Sequence, residues 1–260
     1  MDASQVRDGS TGFNRRQNAE RVTAIYRESY AAAYASLYVE PWRRKHELNL
    51  RNLAQILDAL PVAQPSWLDL ACGQAWHFAR FGGRARMYGL DLSPAQLARA
   101  RLSAPTAAFV CADMVEAPFL YGSFDLVTMF WAGYCYLDSA ERTEALVRNA
   151  MRWLRPGGML YIEVLLARDL ASFNESHFSR MNGFTVTPRT RDYEQWVYDD
   201  FGGRHWMTSP PLPFFLNIVT PESERDRSKA RRWFHGPLDS KQAQIASNIC
   251  GSLRQVRDKR

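Results

Sequence analysis

Between residues 67 and 166, five short apolar runs alternate with helix-like pieces. No other feature of the chain constrains its fold as much. The runs are Trp67 to Ala71, Met87 to Leu92, Ala107 to Cys111, Phe124 to Phe130 and Met159 to Leu166. Each is apolar almost throughout, with no regular polar alternation. A strand of that kind has both faces buried, as in a parallel sheet wrapped by helices. Of the intervening helices, Ser93 to Leu102 and Ser139 to Leu154 are the clearest. Ser93-Pro94 supplies a cap residue followed by proline at the first helical position, and Pro156-Gly157-Gly158 ends the later helix. The pattern predicts an α/β domain with a doubly wound, mostly parallel sheet.

The flanks read differently. From about Gln17 the chain turns helical, and Tyr26, Tyr30, Tyr34 and Tyr38 recur every fourth residue on a helix expected to end near Pro41. Such a stripe suits a core face or a helix lying across a polar pocket, because a buried phenol needs a partner. A second helix spans about Lys45 to Leu60, and Pro61 stops it. After Leu166, Gly183 to Ser209 reads as two extended segments around Asp199-Asp200-Phe201-Gly202-Gly203, with Phe214 to Val219 as a third strand. The expected organisation is a flexible start (1–20), N-terminal helices capping a pocket (21–62), an α/β core (63–167), an antiparallel flap (168–220) and a basic C-terminal tail (221–260).

Composition excludes several classes. At 46% hydrophobic and 23% charged the chain is too apolar for a disordered segment. The most apolar stretch, Phe124 to Leu137, contains Asp125 and falls short of a membrane span. The start, Met-Asp-Ala-Ser-Gln, carries no apolar leader, so a cytoplasmic chain is expected. Cys72, Cys111, Cys135 and Cys250 are scattered, which signals neither a disulfide framework nor a metal site. The net charge of +6 is concentrated beyond Thr220, where ten Lys or Arg face five Asp or Glu. The rest is near neutral, so no specific nucleic-acid surface is expected.

Three successive strand ends carry acids. The first run leads into Asp69-Leu-Ala-Cys-Gly73-Gln-Ala75, where glycine at the strand-to-helix turn lets backbone approach a ligand over the carboxyl edge. The second ends at Asp91, eighteen residues past Gly73, and a carboxylate there can accept both hydroxyls of a ribose. The third ends at Asp113-Met114, where the acid can accept from an adenine amino group while Leu92 and Met114 cover the ring faces.

With Phe124-Asp-Leu-Val and Leu154-Arg-Pro-Gly-Gly-Met-Leu, these segments make residues 25 to 166 resemble the class I S-adenosylmethionine-dependent methyltransferases. The resemblance implies a Rossmann-like fold with S-adenosylmethionine as cofactor. It implies that Asp69, Gly73 and Ala75 lie by the cofactor's methionine part, Asp91 by its ribose, and Leu92, Asp113, Met114 and Phe130 around the adenosine. Phe130-Trp-Ala-Gly-Tyr-Cys-Tyr136-Leu-Asp138 resembles the stretch after the fourth strand in small-molecule enzymes of the family, especially those acting on amines and sugar amines. That likeness implies that Tyr136 faces the transferred methyl, that Tyr34 assists it from the tyrosine stripe, and that Tyr30, Trp131 and Tyr134 line the acceptor site.

Two departures stand out. Ala75 replaces the usual second glycine of the turn, and Ser223 to Arg260 contains no apolar strand to match the family's last one. The expected function is methyl transfer to a small-molecule acceptor, an amine nitrogen, without metal. The competing reading is a protein of the same fold that binds the cofactor or a partner without methylating. A nicotinamide dehydrogenase fits less well, since the turn lacks the third glycine and Asp113 has no role in that scheme. His77 is a candidate base by position, although a satisfied, partly buried histidine is the favoured reading, and His177, His205 and Glu163 are further, unranked candidates.

Overall fold

The computed structural model describes residues 14–220. Helix α1 (Arg15–Ile25) opens with a reciprocal cap: the Asn14 side chain accepts the Gln17 N–H, and the Gln17 side chain accepts the Asn14 N–H. The tyrosine stripe does not ride on one continuous helix. The chain breaks at Tyr26, resumes as α2 (Glu28–Tyr34) and widens into a π-helical turn over Ala35–Val39. Helix α3 (Arg43–Ala59) then buries Leu53, Ile56 and Leu57.

Five strands form the main sheet: β1 (Ser66–Leu70), β2 (Arg86–Asp91), β3 (Ala108–Cys111), β4 (Phe124–Met129) and β5 (Leu154–Ile162). Their order is β3-β2-β1-β4-β5 and every pairing is parallel. The winding reverses between β1 and β4, which opens a crevice at their carboxyl ends. Helices α4 (Pro94–Ser103) and α5 (Ala140–Trp153) flank the sheet, each capped by a serine, Ser93 and Ser139. β1 and β4 are buried along their whole length, as their apolar sequences require. Asp125 inside β4 is held by the Arg155 guanidinium and by the Ser66 N–H. β3 departs from the expectation of burial: it is an edge strand, and most of it is exposed.

The expected helix after Gly73 is absent. The chain makes turns there and a single 3₁₀ segment, Phe78–Arg80. After β5 come two short helices, α6 (Ala167–Ala171) and α7 (His177–Asn182). The second sheet is antiparallel, with β6 (Thr185–Pro188), β7 (Gln195–Asp200) and β8 (Gly203–Thr208) in that order. β7 and β8 join through Phe201-Gly202, the expected turn. The third strand is therefore β6, ahead of the hairpin. Phe214 to Val219, expected to be a strand, belongs instead to α8 (Leu212–Val219). Pro211 caps it, a proline stands in its first turn, and Phe215, Ile218 and Val219 face inward at helical spacing. The missing last strand within Ser223 to Arg260 lies outside the described residues. No helix among the described residues is long and apolar enough to cross a membrane.

Candidate active site

The site lies where the sheet's winding reverses. Gly73 adopts φ +53°, and the space where a side chain would stand is open. Ala71, Ala75, Trp131 and Ala132 also sit in the left-handed region, at φ 52°, 55°, 55° and 49°. For residues other than glycine this conformation costs about 1–2 kcal/mol each, and such strain clusters where a fold is shaped for a ligand. The conformation of Ala75 explains why glycine is usual at that position.

Two cavities, of about 120 and 230 Å³, meet at Tyr34, Ala71, Gly73, Phe130 and Trp131. The first is lined by Asp91, Leu92, Asp113, Met114 and Phe130, together with Tyr34, Trp131 and Tyr136. The Asp91 carboxylate spans the floor, one oxygen accepting the Gly73 N–H and the other the Ser93 N–H, each at 2.8 Å. Burial raises its pKa, opposed by those backbone donors. Asp113 meets the Arg142 guanidinium at 2.6 Å and accepts the Val115 N–H. Gln96 also lines this cavity, and among the described residues neither amide atom has a partner.

Asp69 faces the second cavity, with His77, Gln74 and Arg80. It is 2% exposed and accepts the Thr128 hydroxyl at 2.6 Å. Burial pushes its pKa up to about 8, opposed by that hydrogen bond and reinforced by the charges of Asp91 and Glu163. Burial also holds His46 at about 4 and His77 well below its usual range, so both imidazoles are neutral. The Lys45 ammonium lies 3.8 Å from the Trp131 ring centre and pairs with Glu163 at 3.0 Å, and Glu163 also accepts the Trp131 backbone N–H.

Three residues expected at the site lie elsewhere. Ala75 is buried in the core beside Phe78 and Leu97. Tyr134 is fully buried against Phe215, its hydroxyl accepting the Leu165 N–H. Tyr30 turns away from both cavities, donating to Asp200 at 2.7 Å and stacking on Phe201.

The sequence reading did not single out the hydroxyl cluster around Tyr136. Its oxygen lies 2.7 Å from the Tyr26 hydroxyl, 2.9 Å from the Tyr198 hydroxyl and 3.0 Å from His205 Nδ1. His205 Nε2 reaches Asp200 at 2.9 Å, and Asp200 also accepts the Tyr38 hydroxyl at 2.6 Å. The signal lay in hairpin arithmetic: a two-residue turn at Phe201-Gly202 sets Tyr198 opposite His205. Arg142 gave no comparable signal, because only tertiary packing brings it to Asp113.

A family model described as a methyltransferase domain matches residues 68–158. Residues 68–158 are a class I S-adenosylmethionine-dependent methyltransferase domain. An uncharacterized methyltransferase of Synechocystis sp. is 35% identical over 127 residues, 48% of this chain and 56% of that protein. A dTDP-4-amino-2,3,4,6-tetradeoxy-D-glucose N,N-dimethyltransferase of Saccharopolyspora spinosa is 34% identical over 105 residues, 40% of this chain and 41% of that one. The chain thus spans about half the length of these curated relatives. Among solved structures, Streptomyces venezuelae DesVI matches with a TM-score of 0.55 at 21% identity, over 74% of this chain and 89% of that one. A Pyrococcus horikoshii protein matches at 0.54 and 19% identity, over 74% and 88%. At such identities the structures establish the fold.

S-adenosylmethionine is the cofactor of this methyltransferase domain. The residues present fit it. Two adjacent cavities that share five lining residues, an open turn at Gly73, a carboxylate at the end of β2 and an unpartnered Gln96 amide provide the space and the polar groups that an adenosine with an amino-acid tail needs.

Proposed function

We propose that the protein transfers a methyl group from S-adenosylmethionine to a small-molecule acceptor, an amine nitrogen, in the cytoplasm. The single observation that carries this reading is the first cavity, which joins Asp91, Asp113 and Met114 to Tyr136 in one lined space. In this scheme Asp91 takes the ribose hydroxyls, Asp113 and Arg142 border the adenine, and Leu92 and Met114 cover its faces. Asp69 faces the methionine end. The sulfonium supplies an activated methyl group whose displacement disperses positive charge, so a metal is not required.

The chain's own contribution is alignment and the exclusion of water. Tyr34 and Trp131 stand where the two cavities meet, which suits them to guide a nitrogen toward the methyl. Burial raises the pKa of Tyr34 and Tyr136, so both phenols stay protonated at neutral pH and act as hydrogen-bonding groups. Support for an amine acceptor comes from the Saccharopolyspora spinosa relative, named for an amino-sugar N,N-dimethyltransferase.

Titration calorimetry with S-adenosylmethionine tests the cofactor. Mass spectrometry of dTDP-4-amino-2,3,4,6-tetradeoxy-D-glucose after incubation with enzyme and cofactor tests the acceptor, and a mass gain of one or two methylene units is expected. Tight cofactor binding with no transfer to this sugar or to any of a panel of small amines would favour the non-methylating alternative.

A further inference from the structure

We propose that His205, oriented by Asp200, is the proton acceptor for the methyl-transfer cavity, reached through the hydroxyls of Tyr136 and Tyr26. This rests on the reading of the first cavity as the transfer site. Tyr26 and Tyr136 both line that cavity, while His205 is fully buried behind them.

An amine acceptor in neutral water is largely an ammonium ion and has no lone pair for attack, so a proton must leave before the new bond forms. The phenols are poor final acceptors. Burial raises the pKa of Tyr26, Tyr136 and Tyr198 well above the usual tyrosine value, so a phenolate there is costly. His205 is the group in the cluster whose geometry suits a base. Its Nε2 is 2.9 Å from an Asp200 oxygen, which can only accept while the carboxylate is ionised, so Nε2 carries the proton and Nδ1 keeps its lone pair. That lone pair is aimed at the Tyr136 hydroxyl at 3.0 Å.

Asp200 is held as the anion. Burial works to raise its pKa, but the hydrogen bonds from His205, Tyr38 and Tyr30 favour the carboxylate, and the net shift is downward. The Tyr198 ring stacks on the imidazole at 4.0 Å between centres and fixes its plane. The titratable groups facing His205 are Tyr26, Tyr30, Tyr136, Tyr198 and Asp200, with Arg21 of α1 approaching the neighbouring Trp206 carbonyl.

The transfer balances. The ammonium gives a proton to the Tyr26 oxygen, Tyr26 passes its own to Tyr136, and Tyr136 passes its own to His205 Nδ1. His205 becomes an imidazolium paired with Asp200. The freed nitrogen lone pair forms the N–CH₃ bond as the S–CH₃ bond breaks, its electron pair staying on sulfur. The proton held on His205 returns to water after product leaves. In this scheme His205 and Asp200 act through Tyr136 and are positioning residues.

Two measurements test the relay. The first needs no acceptor: nitrogen-15 NMR of the imidazoles, with S-adenosylhomocysteine and then with sinefungin, whose amino group replaces the methyl sulfonium. The expected results are an Nε2-protonated His205 at neutral pH, a shift of Nδ1 toward the protonated position with sinefungin only, and loss of that shift in Tyr136→Phe. An Nδ1-protonated tautomer, or equal spectra with the two ligands, overturns the proposal. The second is the rate against pH with the amino sugar named above. His205→Gln should lose about ten- to a hundredfold in kcat at pH 7 with KM little changed, and the deficit should narrow as pH rises and the acceptor deprotonates in solution. Asp200→Asn should show the same trend with a smaller loss and serves if His205→Gln does not fold. A deficit equal at every pH, or none, overturns the relay. If the sugar is not methylated but the NMR response is present, the acceptor assignment fails and the relay stands.

Discussion

Asp69 should make cofactor binding pH-dependent if the cofactor's methionine end occupies the cavity it lines. Its carboxyl group is buried at the end of β1, and a pKa raised to about 8 leaves it mostly protonated at pH 7. The cofactor's methionine ammonium, arriving in the cavity that Asp69 lines, favours the carboxylate and expels the proton. Between about pH 6 and 8 the affinity should therefore rise by up to tenfold per pH unit, with close to one proton released per cofactor bound at pH 7. His46 and His77 stay neutral through this range and leave the slope to Asp69. Calorimetry in phosphate and in Tris, which differ in ionisation enthalpy, counts the protons. Asp69→Asn should abolish the buffer dependence and bind more weakly at pH 8, with a deficit that shrinks as pH falls. Stability without cofactor follows the same linkage. A carboxyl whose folded value is raised contributes fully below its unfolded value of about 3.9, and the contribution erodes by up to about 1.4 kcal/mol per pH unit until pH passes 8. An affinity flat from pH 6 to 8, with identical heats in both buffers, would refute the reasoning.

Other expectations are more local. Asp91→Ala removes the acceptor of two backbone N–H groups along with the proposed ribose contact, so calorimetry should show cofactor affinity falling about tenfold or more. Tyr136→Phe strands the Tyr198 donor and the His205 acceptor, which should cost about 2–4 kcal/mol and lower Tm by roughly 5–15 °C. The same variant should keep cofactor affinity while turnover falls about ten- to a hundredfold. In Gly202→Ala the new methyl overlaps the Tyr30 ring, and thermal melting should register about 1–3 kcal/mol of destabilisation. The basic residues beyond Thr220 should bind DNA only unspecifically, and a shift assay should show that binding fading steeply with salt.

The parallel sheet was legible because burial on both faces leaves a nearly continuous apolar run, broken in β1 and β4 mainly by Asp69 and Asp125. The acids at the strand ends were legible for a related reason, since Asp91 and Asp113 interrupt apolar sequence where the chain leaves the core. Local pattern failed where two states share a composition. Phe214 to Val219 is apolar enough for a strand, and only its prolines and the inward spacing of Phe215, Ile218 and Val219 mark a helix. The turns after Gly73 were hidden because a helix is the ordinary successor to a strand in such folds. Tyr134 and Tyr136 stand two residues apart in one 3₁₀ turn, yet one enters the core and the other a cavity. Nothing in their order distinguishes them. The hydroxyl cluster joins α1, α2, the turn after β4 and the flap, so its hydrogen-bonded pairs are separated by up to 170 residues.

The left-handed residues along the sheet's carboxyl edge also restrict how this chain can diverge. A β-branched side chain is disfavoured at 71, 75 and 132 by backbone conformation, so glycine, alanine and asparagine are the substitutions that the backbone favours there. Positions 71 and 133 are further bound to each other, because a methyl on Gly133 would lie 2.7 Å from the Ala71 methyl. One of the pair can carry a side chain only while the other does not. A library randomised at both should return Ala-Gly, Gly-Ala and Gly-Gly but not Ala-Ala, an exchange that leaves the edge's shape unchanged while the sequence drifts.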